Sequence, residues 1–171
     1  PAQKAEARAQ VAAALRAGGY GHREKVVRVN GSGSPWEAED LRAVATSGAD
    51  AVLLPKVEDA GYVRGVEAAL AAYRAPAGLA IWAMIETPRG VLRADEIAGS
   101  SPRLACLVAG TSDLVKDLQA RHTAGRAEVL TALSLTVLGM IMIYSATNVM
   151  AGSSARYGFD PAYFFKRQVL F

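Results

Sequence analysis

Four short apolar segments recur along the first two thirds of this chain, and each ends at a polar or charged residue. The segments are residues 26–30, 51–56, 79–86 and 104–113. Arg28, Lys56, Glu86 and Asp113 lie at or near their ends and are separated by 28, 30 and 27 positions. Each interval has the length of one strand followed by one helix. The spacing therefore predicts a βα repeat and a parallel sheet.

Helical patterns fill the gaps between these segments. They cover residues 2–17, 36–47, 59–73, 94–98 and 114–120, and we expect Ser34 to cap the second of them. Apolar strands without clean alternation are typical of a parallel sheet that is covered on both faces. Such repeats form either an open doubly wound sheet or a barrel, and polar residues at all four strand ends favour the barrel. We therefore predict an α/β fold, a partial TIM (β/α)8 barrel of about four βα units over residues 1–130.

Residues 131–150 have a different character. No Asp, Glu, Lys, Arg or His lies between Glu128 and Arg156, and about 20 predominantly apolar residues suffice to cross a bilayer. A buried core helix is the alternative, but such a helix normally keeps one polar face. We therefore expect a single transmembrane helix at 131–150.

Charge and cysteine content narrow the class of protein. The 171 residues carry a net charge of +3 with mixed signs, which gives no footprint for nucleic-acid binding. Cys106 is the only cysteine, which excludes an internal disulfide and a multi-thiolate metal site and fits a reducing compartment. We expect no secretory signal, and we interpret Pro1, in place of an initiator Met, as a sign of a fragment.

The carboxylates that end two neighbouring segments are the sharpest functional candidates. Glu86 and Asp113 could hold Mg²⁺, which prefers oxygen ligands, and Arg28 could bind a carboxylate or neutralise an oxyanion. Glu86 could instead form a structural ion pair with Arg89 or Lys56. Asp113 could be only the N-cap of the following helix.

Other polar side chains are weaker candidates. Lys56 and Glu58 could orient the metal ligands without binding the metal themselves, or they could have only a structural role. His22 and His122 lack metal-ligand spacing and are interpreted as surface residues.

Four ordered motifs resemble the HpcH/HpaI aldolase and citrate lyase beta-subunit family. They are Val27-Arg28-Val29-Asn30 with Ser34-Pro35-Trp36, Gly48 through Glu58, Met84 through Gly90, and Gly110-Thr111-Ser112-Asp113-Leu114. The resemblance covers about residues 2–138. It lacks the family's first strand with its acidic tip, and its last three strands.

This resemblance implies a TIM-barrel, Mg²⁺-dependent carbon–carbon lyase that acts on an acyl-CoA such as citryl-CoA or malyl-CoA, or on a small oxo or hydroxy acid. It implies Glu86 and Asp113 as metal ligands and Arg28 as the catalytic, substrate-binding arginine. A homo-oligomer is a further expectation. With only four of eight strands, we expect this chain to lack measurable lyase activity.

Residues 138–147, Tyr157-Gly158 and residues 160–168 resemble the first membrane span and following loop of the FtsW/RodA/SpoVE family. This second resemblance covers about residues 136–171 and implies the start of a second span at 164–171. Members of that family are membrane proteins that polymerise peptidoglycan during cell division and the maintenance of cell shape. The alternative function is therefore the membrane fragment of such a polymerase in a chimeric chain. The expectation is a cytoplasmic lyase-like part anchored in the inner membrane through residues 131–150.

Overall fold

The structure, a computed structural model, describes residues 2–121 together with 123, 125, 127, 130, 131, 133–135, 137 and 138. Within these residues the strands are β1 Val26–Arg28, β2 Ala51–Leu54, β3 Ala80–Ile85 and β4 Leu104–Ala109. The helices are α1 Ala2–Ala17, α2 Glu37–Ala45, α3 Ala60–Ala72, α4 Pro88–Leu92, α5 Ala94–Ala98 and α6 Thr111–Asp117.

The four strands form one parallel sheet in the order β1-β2-β3-β4. Each strand therefore pairs with its neighbour in sequence, and the order shows no reversal. A reversal of strand order is the mark of a doubly wound sheet, whereas sequential neighbours are the arrangement found in βα barrels. The sequence left a doubly wound sheet and a barrel open, and the strand order of the described sheet is that of a barrel.

The core lies between one face of this sheet and the helices α2, α3 and α5. Its largest fully buried side chains are Leu54, Leu70, Ile81, Ile97, Val52, Val57 and Val63. Complete burial of one such side chain stabilises the fold by about 1.5–3 kcal/mol. The expectation of a sheet covered on both faces is wrong for the described residues, because β3 alternates between fully buried and half-buried positions. The opposite face carries the paired row Arg28, Leu53, Trp82 and Cys106.

Most predicted helices are confirmed within a few residues, and two details differ. Ser34 does not cap α2, which begins at Glu37 after an uncapped Trp36. The reason is a preceding turn, in which the Glu37 amide donates to the Ser34 carbonyl. Helix α4 lies outside the predicted helical segments, and its short sequence contains both Pro88 and Gly90.

Most of the predicted membrane span lies outside the described residues. No helix among the described residues is both long enough and apolar enough to cross a bilayer. The described side chains Leu130, Leu135, Val137 and Leu138 are each more than half exposed, and Leu133 packs against the Leu114–Val115 cluster. A span at 131–150 stays a prediction.

A buried polar cluster ties α1 to α2 and to the end of β1. Asp40 on α2 is 7% exposed, and it accepts hydrogen bonds from the Asn30 backbone amide (3.0 Å) and side-chain amide. The Arg8 guanidinium donates to its other oxygen at 2.9 Å, and Lys4 donates to the Asn30 side chain, also at 2.9 Å. Burial acts to raise the pKa of Asp40, but the hydrogen bonds from Asn30 and Arg8 outweigh it and lower the pKa below its usual value of 3.8.

Replacing Asp40 with Asn is expected to destabilise the fold by about 1–3 kcal/mol at pH 7, because Arg8 and the Asn30 amides lose a charged acceptor. A carboxyl whose pKa is lowered by folding contributes its stability above its unfolded pKa. That contribution is lost as the pH falls through the lower folded value. Urea unfolding of wild type and Asp40→Asn should therefore show a gap in free energy that is constant at neutral pH and closes only below about pH 4.

Glu24→Gln is the matched control, because Glu24 lies exposed in the loop before β1. It should unfold like the wild type across the same pH range. An Asp40→Asn protein as stable as the wild type at pH 7 would show that the buried cluster does not stabilise the fold.

Candidate active site

A cleft opens at the carboxyl ends of β1, β2 and β3, beside the start of α6. Its volume is about 260 Å³. The residues that line it are Arg28, Val29, Asn30, Gly31, Pro55, Lys56, Glu86 and Asp113. Because parallel strands end at the same edge of their sheet, residues far apart in sequence meet here. The structure therefore brings together all four of the residues that mark the ends of the apolar segments.

Glu86 is the most deeply buried carboxylate of the cleft, at 6% exposure. It follows β3 directly, and the chain then turns into α4. Thr87 caps that helix by accepting a hydrogen bond from the Gly90 amide at 3.1 Å, and Pro88 occupies the first turn, where it needs no backbone donor. This sharp change from strand to helix holds the Glu86 side chain at the sheet edge.

Glu86 receives one hydrogen bond from the neighbouring loop, because the Lys56 backbone amide donates to its Oε1 at 2.9 Å. Its second oxygen, Oε2, lies against Gly110. A Cβ atom on residue 110 would stand 2.7 Å from Oε2 and 2.4 Å from the Glu86 Cβ. The glycine is thus required for the carboxylate to occupy its place.

Asp113 lies in the first turn of α6, and its side chain is 46% exposed. It is not the N-cap of this helix, because Gly110 holds that position and α6 begins at Thr111. The prediction failed because the helix starts three residues earlier than the apolar pattern indicated. Asp113 therefore extends from the rim of the cleft, and a carboxylate in the first helical turn is favoured by the helix dipole.

Lys56 contacts both carboxylates, by different parts of the residue. Its amide binds Glu86, and its ammonium lies 3.9 Å from Asp113 Oδ2. Its backbone has φ 50, in the left-handed region that non-glycine residues seldom adopt. This turn directs the amide toward Glu86, and the Val57 amide then donates to the Met84 carbonyl at 3.1 Å.

The structural alternative for Glu86, an ion pair with Arg89, is wrong. Arg89 lies 3.8 Å from Glu58 instead, and the two side chains are 67% and 39% exposed. Glu58 therefore pairs with Arg89, and of the two suggested supporting residues only Lys56 lines the cleft. The other alternative, an ion pair between the Lys56 ammonium and Glu86, is also wrong. Lys56 contacts Glu86 through its backbone amide, and its ammonium lies near Asp113 instead.

Arg28 lies at the end of β1, on the face of the sheet that the helices leave open. It is exposed and lines the cleft together with Asn30. The Asn30 side chain is turned toward Asp40 and Lys4, so it anchors the end of β1. No role was predicted for Asn30 or Gly110 from the sequence, where each is only one member of a longer motif.

The donor set of the cleft fits a hard divalent cation. Two carboxylates, one buried and one at the rim, offer oxygen ligands and leave room for water and substrate, as Mg²⁺ requires. Within the part of the chain that the structure describes, no group of three or more His, Cys, Asp or Glu side chains could hold a metal. A site here would therefore rest on Glu86 and Asp113 alone among such residues. His22 is exposed, and His122 lies outside the described residues.

A parallel sheet with sequential strand pairing, and with its polar cleft at the carboxyl edge, defines an α/β chain of the TIM-barrel type. The family model HpcH/HpaI aldolase/citrate lyase matches residues 1–160. The chain belongs to the HpcH/HpaI aldolase/citrate lyase family.

Individual relatives agree with this assignment. A (3S)-malyl-CoA thioesterase of Cereibacter sphaeroides is 41% identical over 136 residues, which are 80% of this chain and 45% of that protein. The citrate lyase subunit beta of Escherichia coli is 35% identical over 163 residues, which are 88% of this chain and 54% of that protein. The chain spans about half the length of the curated relatives it matches.

A solved structure, the citrate lyase beta subunit of M. tuberculosis complexed with oxaloacetate and magnesium, is also similar. It shares 25% identity, with a TM-score of 0.50, and the match covers 84% of this chain and 71% of that one. The family match to 1–160 also includes most of the segment compared above with FtsW/RodA/SpoVE proteins. The comparisons add no support to that second resemblance, and the domain boundary at residue 130 stays a prediction.

Proposed function

We propose that this chain carries the metal and carboxylate subsites of a Mg²⁺-dependent carbon–carbon lyase that acts on a CoA thioester of a hydroxy acid. The observation that supports this best is the shared cleft of Glu86, Asp113 and Arg28, two oxygen donors and a guanidinium at the carboxyl edge of the sheet. Relatives named for malyl-CoA and citrate, and one complexed with oxaloacetate and magnesium, support the substrate class.

In this proposal Glu86 and Asp113 hold the metal. Glu86 is fixed by the Lys56 amide and by the close approach of Gly110, so it needs little reorganisation on binding. When bound, Mg²⁺ would polarise the oxygen of an oxo acid and stabilise an enolate. Backbone contacts hold this buried ligand, and such rigidity favours metal binding.

Arg28 supplies the second subsite. Its guanidinium is exposed at the cleft and projects from a strand, so it can donate two parallel hydrogen bonds to a carboxylate. The proposed cleavage breaks the bond between the hydroxyl-bearing carbon and the carbon next to the thioester. The hydroxyl group loses its proton, and the electron pair of that O–H bond forms the carbonyl of the oxo acid. The electron pair of the broken carbon–carbon bond forms the thioester enolate, which then takes up a proton. Arg28 holds the carboxylate of the oxo acid during this step.

The proposal is tested by measuring the affinity for the metal and the affinity for an oxo acid separately in an Arg28 variant. We expect Arg28→Gln to weaken Mg²⁺-dependent oxaloacetate binding, measured by calorimetry, by at least about tenfold, because a charge-assisted hydrogen bond is lost. Mn²⁺ affinity, measured by electron paramagnetic resonance, should change by less than about threefold, since screened charges at the surface interact weakly.

Arg64→Gln, on the exposed side of α3, is the control and removes the same charge away from the cleft. It should leave both affinities unchanged. Oxaloacetate binding that is equally strong in the Arg28→Gln protein would remove Arg28 from the proposal.

A further inference from the structure

Lys56 is the single residue that touches both carboxylates of the cleft among the described contacts. Its two contacts are chemically independent. The amide contact with Glu86 Oε1 belongs to the backbone and exists for any residue with an N–H group at this position. The ammonium contact with Asp113 Oδ2 belongs to the side chain alone.

The side-chain contact is of a kind that can be broken easily. The ammonium and the carboxylate are 3.9 Å apart, and their side chains are 58% and 46% exposed. An exposed pair of this sort contributes little to stability, and the flexible lysine stem lets the ammonium move into solvent. The backbone contact is shorter, at 2.9 Å, and its acceptor Glu86 is buried.

We propose that the Lys56 ammonium is an exchangeable counter-ion, which neutralises Asp113 in the metal-free cleft and is displaced when a divalent cation binds. This inference rests on the proposed function, because it assumes that Asp113 is a metal ligand. The ammonium and the divalent cation compete for the same carboxylate, and their charges repel each other at close range. Lys56 thus fixes one ligand through its backbone while its side chain lowers the affinity of the other for metal.

Displacement has a consequence for the cleft. Once it leaves Asp113, the ammonium stays tethered to the rim that Arg28 also lines. It then adds positive charge where an anionic substrate would enter. The same residue would therefore restrain metal binding and favour the binding of an anion after the metal.

The experiment compares Mn²⁺ affinity in the wild-type 171-residue chain and three variants of it by electron paramagnetic resonance. Lys56→Asn removes the charge and keeps the backbone amide, and Asn tolerates the left-handed conformation better than most residues. We expect it to bind Mn²⁺ about three- to fivefold more tightly than the wild type. Lys56→Arg keeps the charge and should remain within about twofold of the wild type. Arg64→Gln removes a positive charge from the exposed side of α3 and should not change the Mn²⁺ affinity.

A purely structural role for Lys56 predicts the opposite sign, because loss of a positioning contact weakens metal binding. Equal or weaker Mn²⁺ binding by Lys56→Asn would therefore overturn the counter-ion proposal and leave the metal site intact. If neither the wild type nor Lys56→Asn binds Mn²⁺, the proposed function fails and the counter-ion proposal fails with it. Binding by Lys56→Asn alone would support both.

Discussion

Glu86→Gln is expected to abolish divalent metal binding while leaving the fold intact. Loss of a group that only supports a metal ligand already costs about 10–100-fold in affinity, so loss of a ligand charge should cost at least about 100-fold. The amide oxygen of Gln can still accept the hydrogen bond from Lys56, so the local packing is retained. Calorimetric titration with Mg²⁺ and electron paramagnetic resonance with Mn²⁺ measure the change.

The same substitution separates binding from stability. Replacing a buried charge by a neutral group of the same shape is often neutral or slightly stabilising, so the urea midpoint without metal should not fall. Glu39→Gln, on the exposed side of α2, is the control for the change of net charge. Metal binding by Glu86→Gln at wild-type affinity would mean that Glu86 is not a ligand.

Gly90→Ala is expected to destabilise the fold by about 1–3 kcal/mol, although alanine is the better helix former. A Cβ at residue 90 would lie 2.5 Å from the Val57 carbonyl oxygen and 3.3 Å from Thr87 Oγ1. Backbone cannot yield as a flexible side chain does, so α4 must move away from the loop that carries Lys56. The urea midpoint should fall without a large change in the slope of the transition.

Gly65→Ala is the matched control for this substitution. Gly65 is also helical, within α3, but no atom beyond its chain neighbours and its own helix backbone lies within 4 Å of the position its Cβ would take. There the intrinsic preference for alanine should stabilise the protein by up to about 1 kcal/mol. If the two substitutions shifted the midpoint in the same direction, the close packing of α4 against the Val57 carbonyl would not govern the effect.

Spacing and apolar patterning were sufficient to predict the parallel βα repeat. They were sufficient because each strand and helix is a local unit, and the return to the sheet edge every 27 to 30 residues leaves few other topologies. Alternating burial in β3 was not predicted, since Ile81, Trp82, Ala83 and Met84 are all apolar and carry no marker of the face they occupy. Only packing against the helices distinguishes them.

The site shows a similar division. Residue type and position at the strand ends were enough to select Arg28, Glu86 and Asp113 as candidates. The partners of these residues depend on backbone conformation, which side-chain chemistry does not report. The positive φ of Lys56 and the pairing of Glu58 with Arg89 are two features that could not be predicted for this reason. Helix α4 was missed because Pro and Gly usually interrupt helices. Here Pro88 lies in the first turn, where it is tolerated, and Gly90 packs closely against the Val57 carbonyl.

Gly110 and Glu86 share a space that only one side chain can fill. A Cβ at residue 110 would overlap the Glu86 side chain and come within 3.1 Å of Met84 Cγ. Any residue larger than glycine at 110 is therefore tolerable only with a smaller one at 86. Among homologous sequences these two positions should vary together, and a lineage that lost the glycine should have lost the carboxylate as well.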